Sequence, residues 1–339
     1  MATIVRSGVG TPVEGVLGAV GATPLVRLRR YLGPAGPQVW AKLEAANPGG
    51  SAKARPAAAM VADALERGLL APGGTVVEST SGNMGVGLAQ ACRYHGLSLI
   101  CVVDTRATAG NVRAMRALGA RVVVVSEPDP ATGDLLVARL AEVARLLGEQ
   151  PGAYWPDQYA NPANPAAHAT GTMREIDEAL DGRIDVLLVA TSTAGTVAGC
   201  LDHLRTAGRD TRVVAVDALG SALFGGARGT RRLPGLGAGV ATAISEGAAV
   251  DEVVRVEDLD CVVGCRRLAH REAILAGASG GGVMVALERV ADRLGPGDRV
   301  ALILPDGGAG YLETVYDDDW VESWLGVAPA ALAARVADG

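Results

Sequence analysis

The chain has 339 residues, 49% of them hydrophobic and 20% charged, with a formal net charge of −6. Its length predicts two domains with ample core, and its acidic balance argues against nucleic acid or an anionic membrane as partner. Aromatics are only 3% and Phe224 is the sole phenylalanine, so Ala, Val and Leu must build the core.

In chain order, residues 1–21 are broken by Gly8, Gly10, Pro12 and Gly15, which is unlike a signal peptide. No apolar run is long enough to span a bilayer, so a soluble cytoplasmic protein is expected. A short Gly-Ala-Thr-Pro-Leu-Val-Arg-Leu segment over 21–28 leads into an Arg-Arg-Tyr-Leu helix start over 29–32. A strand over 39–43 carries Lys42 and delivers the chain to Asn-Pro-Gly-Gly-Ser-Ala-Lys-Ala-Arg-Pro, residues 47–56. There Ser51 is a helix N-cap candidate, and the apolar spacing predicts a helix through Leu65.

Strands alternating with helices follow, which implies parallel sheets covered on both faces. Strands are expected over 75–78, 99–103 and 121–125, with helices over 87–94, 112–118 and 135–147. Residues 154–165 hold three prolines and read as an irregular crossing between two α/β units. After it come a helix over 167–180, a strand over 186–190, a helix over 196–206 and a strand over 212–217. A glycine-rich loop region over 220–250 precedes a strand over 253–256, a helical stretch to Leu275, a loop over 276–282, a helix over 283–294 and a strand over 299–304.

Cys92, Cys101, Cys200, Cys261 and Cys265 are scattered without C-x-x-C and read as buried free thiols, and the four histidines show no metal spacing. Lys42 and Lys53 are the only lysines among 31 basic residues. A lysine kept where arginine serves elsewhere points to amine chemistry, because a guanidinium stays protonated whereas an amine can form a Schiff base. Lys53 is placed in the first turn of a helix, where the macrodipole disfavours the ammonium. By itself it reads equally as a solvated residue at a helix start.

Three glycine- and hydroxyl-rich loops each follow a strand and open a helix, the arrangement that turns backbone amides onto an anion. They span 79–85, 192–196 and 277–282. Gly85 and Gly87 fit half of a dinucleotide fingerprint, but Gln90 takes the third glycine's place, and neither lysine follows a glycine as a phosphate-binding P-loop requires. An amine for an aldehyde, an amide nest for a phosphate and a hydroxyl for a ring nitrogen are together the needs of pyridoxal 5'-phosphate.

The ordered motifs Asn-Pro-Gly-Gly-Ser-x-Lys-x-Arg-Pro, Thr-Ser-Gly-Asn-x-Gly, Asn-Pro-Ala-Asn-Pro with His168, Ser-Thr-x-Gly-Thr and Gly-x-Ser-x-Gly resemble the fold-type II pyridoxal-phosphate enzymes of the cysteine synthase and cystathionine β-synthase group. The stretches 78–83, 154–155, 158–161, 217–221 and 304–306, with Tyr311, are most similar to the subgroup that makes N-(2-amino-2-carboxyethyl)-L-glutamate, a 2,3-diaminopropionate precursor for siderophores and peptide antibiotics. The resemblance implies an α/β fold of two three-layer α/β/α domains with largely parallel twisted sheets. It implies a smaller mobile domain over 47–159, a larger cofactor-anchoring domain from 1–46 and 160–339, and a homodimer.

The resemblance further implies that Lys53 is the Schiff-base lysine, Asn83 bonds the cofactor's ring hydroxyl, Ser192, Thr193, Ala194, Gly195 and Thr196 cradle its phosphate, and Ser279 faces the pyridine nitrogen. Thr80, Ser81, Gly82, Asn83 and Met84 would bind the substrate α-carboxylate. Arg139 and Tyr159 are expected at a leaving phosphate, and Ser221 at the second substrate. The implied reaction is a β-replacement on O-phospho-L-serine by the amine of L-glutamate. A cysteine synthase using O-phosphoserine or O-acetylserine with sulfide, and an inactive partner protein, are the alternatives. The family usually reads Lys-Asp-Arg where this chain has Lys53-Ala54-Arg55.

Overall fold

A computed structural model describes residues 12–80, 82–133 and 135–338. The chain enters through β1 (Leu25–Leu28) and β2 (Gln38–Leu43), then α1 (Ala54–Glu66). It continues through β3 (Thr75–Ser79), α2 (Asn83–Tyr94), β4 (Ser98–Asp104), α3 (Ala109–Ala117), β5 (Arg121–Val125) and α4 (Leu135–Glu149). After the crossing come α5 (Ala163–Ala167), α6 (Arg174–Ala179), β6 (Val186–Ala190), α7 (Gly195–Thr206), β7 (Arg212–Ala218), α8 (Ala243–Glu246) and β8 (Glu252–Val256). The last elements are α9 (Asp258–Glu272), α10 (Ala278–Ala291), β9 (Arg299–Leu304), α11 (Asp318–Leu325) and α12 (Pro329–Ala337).

The strands form two sheets, ordered β1-β2-β9-β6-β7-β8 and β3-β4-β5. All pairings are parallel except β1 on β2. Buried on both faces, the central strands are continuous apolar runs, as parallel strands require. Along them, Leu188, Val300 and Leu302 pack with α9 and α10, while Leu187, Val189, Ala301 and Ile303 pack with α7. The period of two thus divides one run between two cores. All five cysteines are buried and free. No helix among the described residues is long and apolar enough to cross a membrane.

Three local readings need correction, while the crossing is irregular up to α5 as expected. Residues 29–32 form a bend rather than a helix start, because the amides of Arg30 and Tyr31 both donate to Glu272 Oε1 at 2.6 and 2.8 Å. The crossing is stitched to β3 by bonds from Val77 N to Tyr154 O and from Tyr154 N to Thr75 O. The helix expected over 167–180 is split by a π-helical turn at His168–Met173, where buried His168 Nδ1 lies 2.9 Å from Thr172 Oγ1. The loop expected over 276–282 is the first turn of α10, its glycines serving contact rather than flexibility. A Cβ on Gly281 would lie 2.0 Å from the Cys261 carbonyl oxygen, and one on Gly264 would lie 2.1 Å from that of Gly281. Two helices touching backbone to backbone admit no side chain there.

Candidate active site

Strands β3, β6 and β9 point their C-terminal ends at one cavity of about 410 Å3, where open parallel sheets bind ligands. That volume suits a small cofactor with an amino acid beside it. Lys53, Thr80, Gly82, Asn83, Met84, Arg139, Tyr159, Ser192 and Ser279 all line it. Thr193, Ala194, Gly195 and Thr196 line an adjoining recess that they share with Lys53. Ser81 lies outside the described residues. Ser221 does not line the cavity: its buried hydroxyl accepts from Ala238 N and Leu223 N at 3.1 and 3.2 Å, fastening the 220–238 loop to itself.

Lys53 is the N-cap residue of α1, two positions earlier in the helix than a cap at Ser51 would make it, and Ser51 instead accepts from the Lys53 amide at 3.3 Å. Burial pushes the Lys53 ammonium below its ordinary range, against the opposing charges of Asp306 and Glu44. Desolvation is thus the leading cause, where the sequence pointed to the helix dipole. Gly87, half of the supposed dinucleotide motif, has a different use: a Cβ there would sit 3.0 Å from the Lys53 carbonyl oxygen, so glycine lets α2 approach the lysine's backbone.

The start of α1 is held by charge. Arg55 donates to Glu44 through Nε at 2.7 Å and Nη2 at 2.9 Å, and to Glu175 through Nη1 at 2.7 Å and Nη2 at 2.8 Å. Lys42 pairs with Glu175 at 2.6 Å and donates to the Thr23 carbonyl at 2.6 Å. The orienting job that an aspartate at position 54 could do for its neighbour is therefore done by two glutamates from β2's end and α6. Ala54 is buried, and a Cβ on Gly49 would lie 3.4 Å from the Ala54 Cβ.

In the second loop, Ala194 holds a left-handed conformation at φ 66° as the N-cap of α7, which sets the loop at a helix N-terminus. Asn164 fixes it, donating to the Gln158 carbonyl and to Thr193 Oγ1, and a Cβ on Gly195 would strike Asn164 Oδ1 at 2.2 Å. Buried Ser279 offers its hydroxyl from the first turn of α10.

Asp306, quoted above only as part of a similarity, is a central group. It accepts from Asn83 Nδ2 at 2.7 Å and Tyr311 Oη at 2.9 Å, and its Oδ1 is buried without a hydrogen bond. Burial pushes its carboxyl up, against the hydrogen bonds of Asn83 and Tyr311 and the charge of Lys53. An acid directly after a buried strand was the signal available for it. Also missed were Arg106, Arg228, Arg231 and Arg232, which line the cavity from glycine- and threonine-containing loops. Arg139 is buried on α4, its Nε 3.4 Å from Asp104 Oδ2, and Arg106 Nη2 is 2.8 Å from the same oxygen. Burial alone would raise the Asp104 carboxyl, yet the Arg106 hydrogen bonds and the Arg139 charge hold it below the usual carboxylate range. Burial raises the Tyr159 phenol, which leaves it a hydrogen-bond donor near Arg139.

A desolvated amine, an amide nest on a helix end and a buried serine hydroxyl around one cavity define a pyridoxal-phosphate site, and the donor set fits that cofactor. Residues 16–306 match the family described as "Pyridoxal-phosphate dependent enzyme". The chain is 42% identical over 308 residues, 91% of each chain, to N-(2-amino-2-carboxyethyl)-L-glutamate synthase of Ralstonia nicotianae. It is similar to the crystal structure of the O-acetylserine-dependent cystathionine β-synthase of Helicobacter pylori, at 29% identity and a TM-score of 0.83 over 90% of this chain and 99% of that one. It is likewise similar to O-ureido-L-serine synthase, at 30% identity and a TM-score of 0.83 over 94% of this chain and all of the other. The chain belongs to the fold-type II pyridoxal-phosphate-dependent enzymes and is a β-replacement enzyme acting on amino acids.

Proposed function

We propose that the enzyme joins O-phospho-L-serine to L-glutamate, giving N-(2-amino-2-carboxyethyl)-L-glutamate and phosphate. One observation carries this reading: in a chain of net charge −6, the described residues lining the cavity include Lys53 and five arginines against the single carboxylate of Asp306. Sulfide and O-acetylserine need no such excess of cations, whereas a phosphorylated serine and a dicarboxylic amine do. The name of the Ralstonia relative supports the same product.

Pyridoxal phosphate, when bound, supplies the aldehyde that takes up the amino group and the ring that draws electrons from Cα. Lys53 provides the amine that carries the cofactor and, once released, takes the Cα proton on Nζ. Ser192 to Thr196 would hold the cofactor phosphate, and Asn83, steered by Asp306, would bond the ring hydroxyl. Ser279 would hold the ring nitrogen with a hydroxyl, which could not keep a proton there as a carboxylate would, so that elimination would be favoured over transamination. Thr80 to Met84 bind the substrate α-carboxylate. Arg139 and Tyr159 would take the phosphate as the Cβ–O bond breaks; the glutamate amine then forms the Cβ–N bond and gives up a proton, and Lys53 Nζ returns one to Cα. In this reading residues 47–159 close over a cofactor anchored by the rest of the chain.

The test is a mass-spectrometric product assay of the purified holoenzyme with phosphoserine and either glutamate or sulfide. The glutamate adduct is expected. Turnover with sulfide and none with glutamate would overturn the proposal.

A further inference from the structure

The arginines of the cavity fall into two banks, one carried by elements around the three-stranded sheet and one by a loop of the six-stranded sheet. Arg106 and Arg139 share Asp104 at the end of β4 and stand beside Tyr159, so one carboxylate sets the spacing of two guanidiniums. The other bank, Arg228, Arg231 and Arg232, rides on a loop from the six-stranded sheet. That loop is fastened along its length. Gly229 N donates to the Gly220 carbonyl at 2.9 Å, the amides of Arg232 and Leu233 donate to Asp258, and Gly237 N donates to the Thr191 carbonyl at 2.7 Å. Gly220, at φ 85°, leaves no room for a Cβ against Gly229.

Within this bank the side chains differ. Arg232 is drawn aside, its guanidinium carbon 5.6 Å from the centroid of the Trp324 ring. Arg231 is half-buried, its Nη1 donating to the Leu236 carbonyl at 3.0 Å, which lays its guanidinium along the inner side of the loop. Arg228 is exposed at the rim.

The two substrates of the proposed reaction bring four anionic groups into this space. The phosphoserine carboxylate goes to the neutral amides after β3 and its phosphate to the bank on Asp104. Two carboxylates of the amine remain, with the second bank facing them.

We propose that Arg228 and Arg231 bind the carboxylates of the second substrate and so select an α-amino dicarboxylate as the nucleophile. The inference rests on the function proposed above. Arg231 holds the carboxylate nearer the reacting carbon, and Arg228 holds the outer one at the rim. An amine lacking the second carboxylate forgoes the charge-assisted contact that Arg228 would make to it.

The experiment is steady-state kinetics of the holoenzyme with phosphoserine and glutamate, glutamine or 2-aminobutyrate, for the wild type, Arg228→Ala, Arg231→Lys and Arg228→Ala/Arg231→Lys. In Arg228→Ala, KM for glutamate should rise on the order of 10- to 100-fold, the effect of one charge-assisted hydrogen bond. KM for phosphoserine should move less than about threefold, and the preference for glutamate over glutamine should collapse by the same factor as the glutamate KM. A preference within twofold of wild type in every variant overturns the inference, as does an equal rise of both KM values, which would make the loop structural. Should Arg231→Lys fail to fold, Arg228→Ala alone decides. A wild type that makes no glutamate adduct refutes the underlying function. A wild type that makes it well, with variants that keep their selectivity, refutes only this assignment.

Discussion

Lys53 derives its reactivity from where it is buried. Desolvation lowers its ammonium and the charges of Asp306 and Glu44 resist, so the three groups set one proton affinity between them. In cofactor-free protein, the rate of amine labelling at Lys53 should therefore rise with pH around a midpoint below the ordinary 10.5. Asp306→Asn removes one opposing negative charge and should move that midpoint lower still; a midpoint that rises would contradict the assignment. Lys53→Ala should abolish the visible absorbance of the holoenzyme and cost on the order of 10²–10⁴-fold in turnover from the lost base alone, measured by phosphate release. The importance of this lysine was legible because only two lysines occur in the chain. Asp306 was not, since its role comes from Asn83, 223 residues distant, meeting it in space.

Among the elements, α1 shows how a helix start is fixed without an ordinary cap. Its N-cap carries no side-chain bond, and its second residue is Arg55, clamped between Glu44 and Glu175. Arg55→Ala leaves Glu44, whose side chain is 0% exposed, as an uncompensated charge. It should lower unfolding free energy by about 3–5 kcal/mol in denaturant titration. Burial alone would raise the Glu175 carboxyl, but the Arg55 and Lys42 partners bring it from 4.5 to about 2. A depressed carboxyl contributes stability above its unfolded value and loses it on acidification, so Tm should fall as pH drops from 4.5 toward 2. Glu175→Gln should flatten that slope and lower Tm at neutral pH. The strands over 186–190 and 299–304 were readable because buried parallel strands write themselves as apolar runs. The charge clamp was invisible because residues 23, 42, 44, 55 and 175 meet only after folding. The 277–282 turn misled for another reason: glycine signals a loop in sequence, yet in α10 it marks contact with another backbone.

For the whole molecule, charge is unevenly distributed. The chain carries a net charge of −6 while the described cavity lining includes Lys53 and five arginines, so the anionic substrates proposed above would pass from a repulsive field to an attractive site. Salt screens exposed charges more than buried ones. Raising ionic strength should therefore weaken glutamate binding at the rim more than phosphoserine binding at buried Arg139, with a rise in glutamate KM of severalfold between about 0.05 and 0.5 M salt. Equal salt dependence for the two substrates would count against the two-bank arrangement.

A β-replacement exposes an electrophilic carbon inside the enzyme each time a leaving group departs, and any stray nucleophile in reach would consume the enzyme. The fold has almost disarmed itself. Burial raises all five thiols, and Lys42 is locked onto Glu175 with 2% of its side chain exposed. Among lysines and cysteines, Lys53 alone lines the cavity. The scarcity of lysine thus also protects against suicide: apart from Lys53, no described lysine or cysteine lines the cavity, which leaves the electrophile to the second substrate.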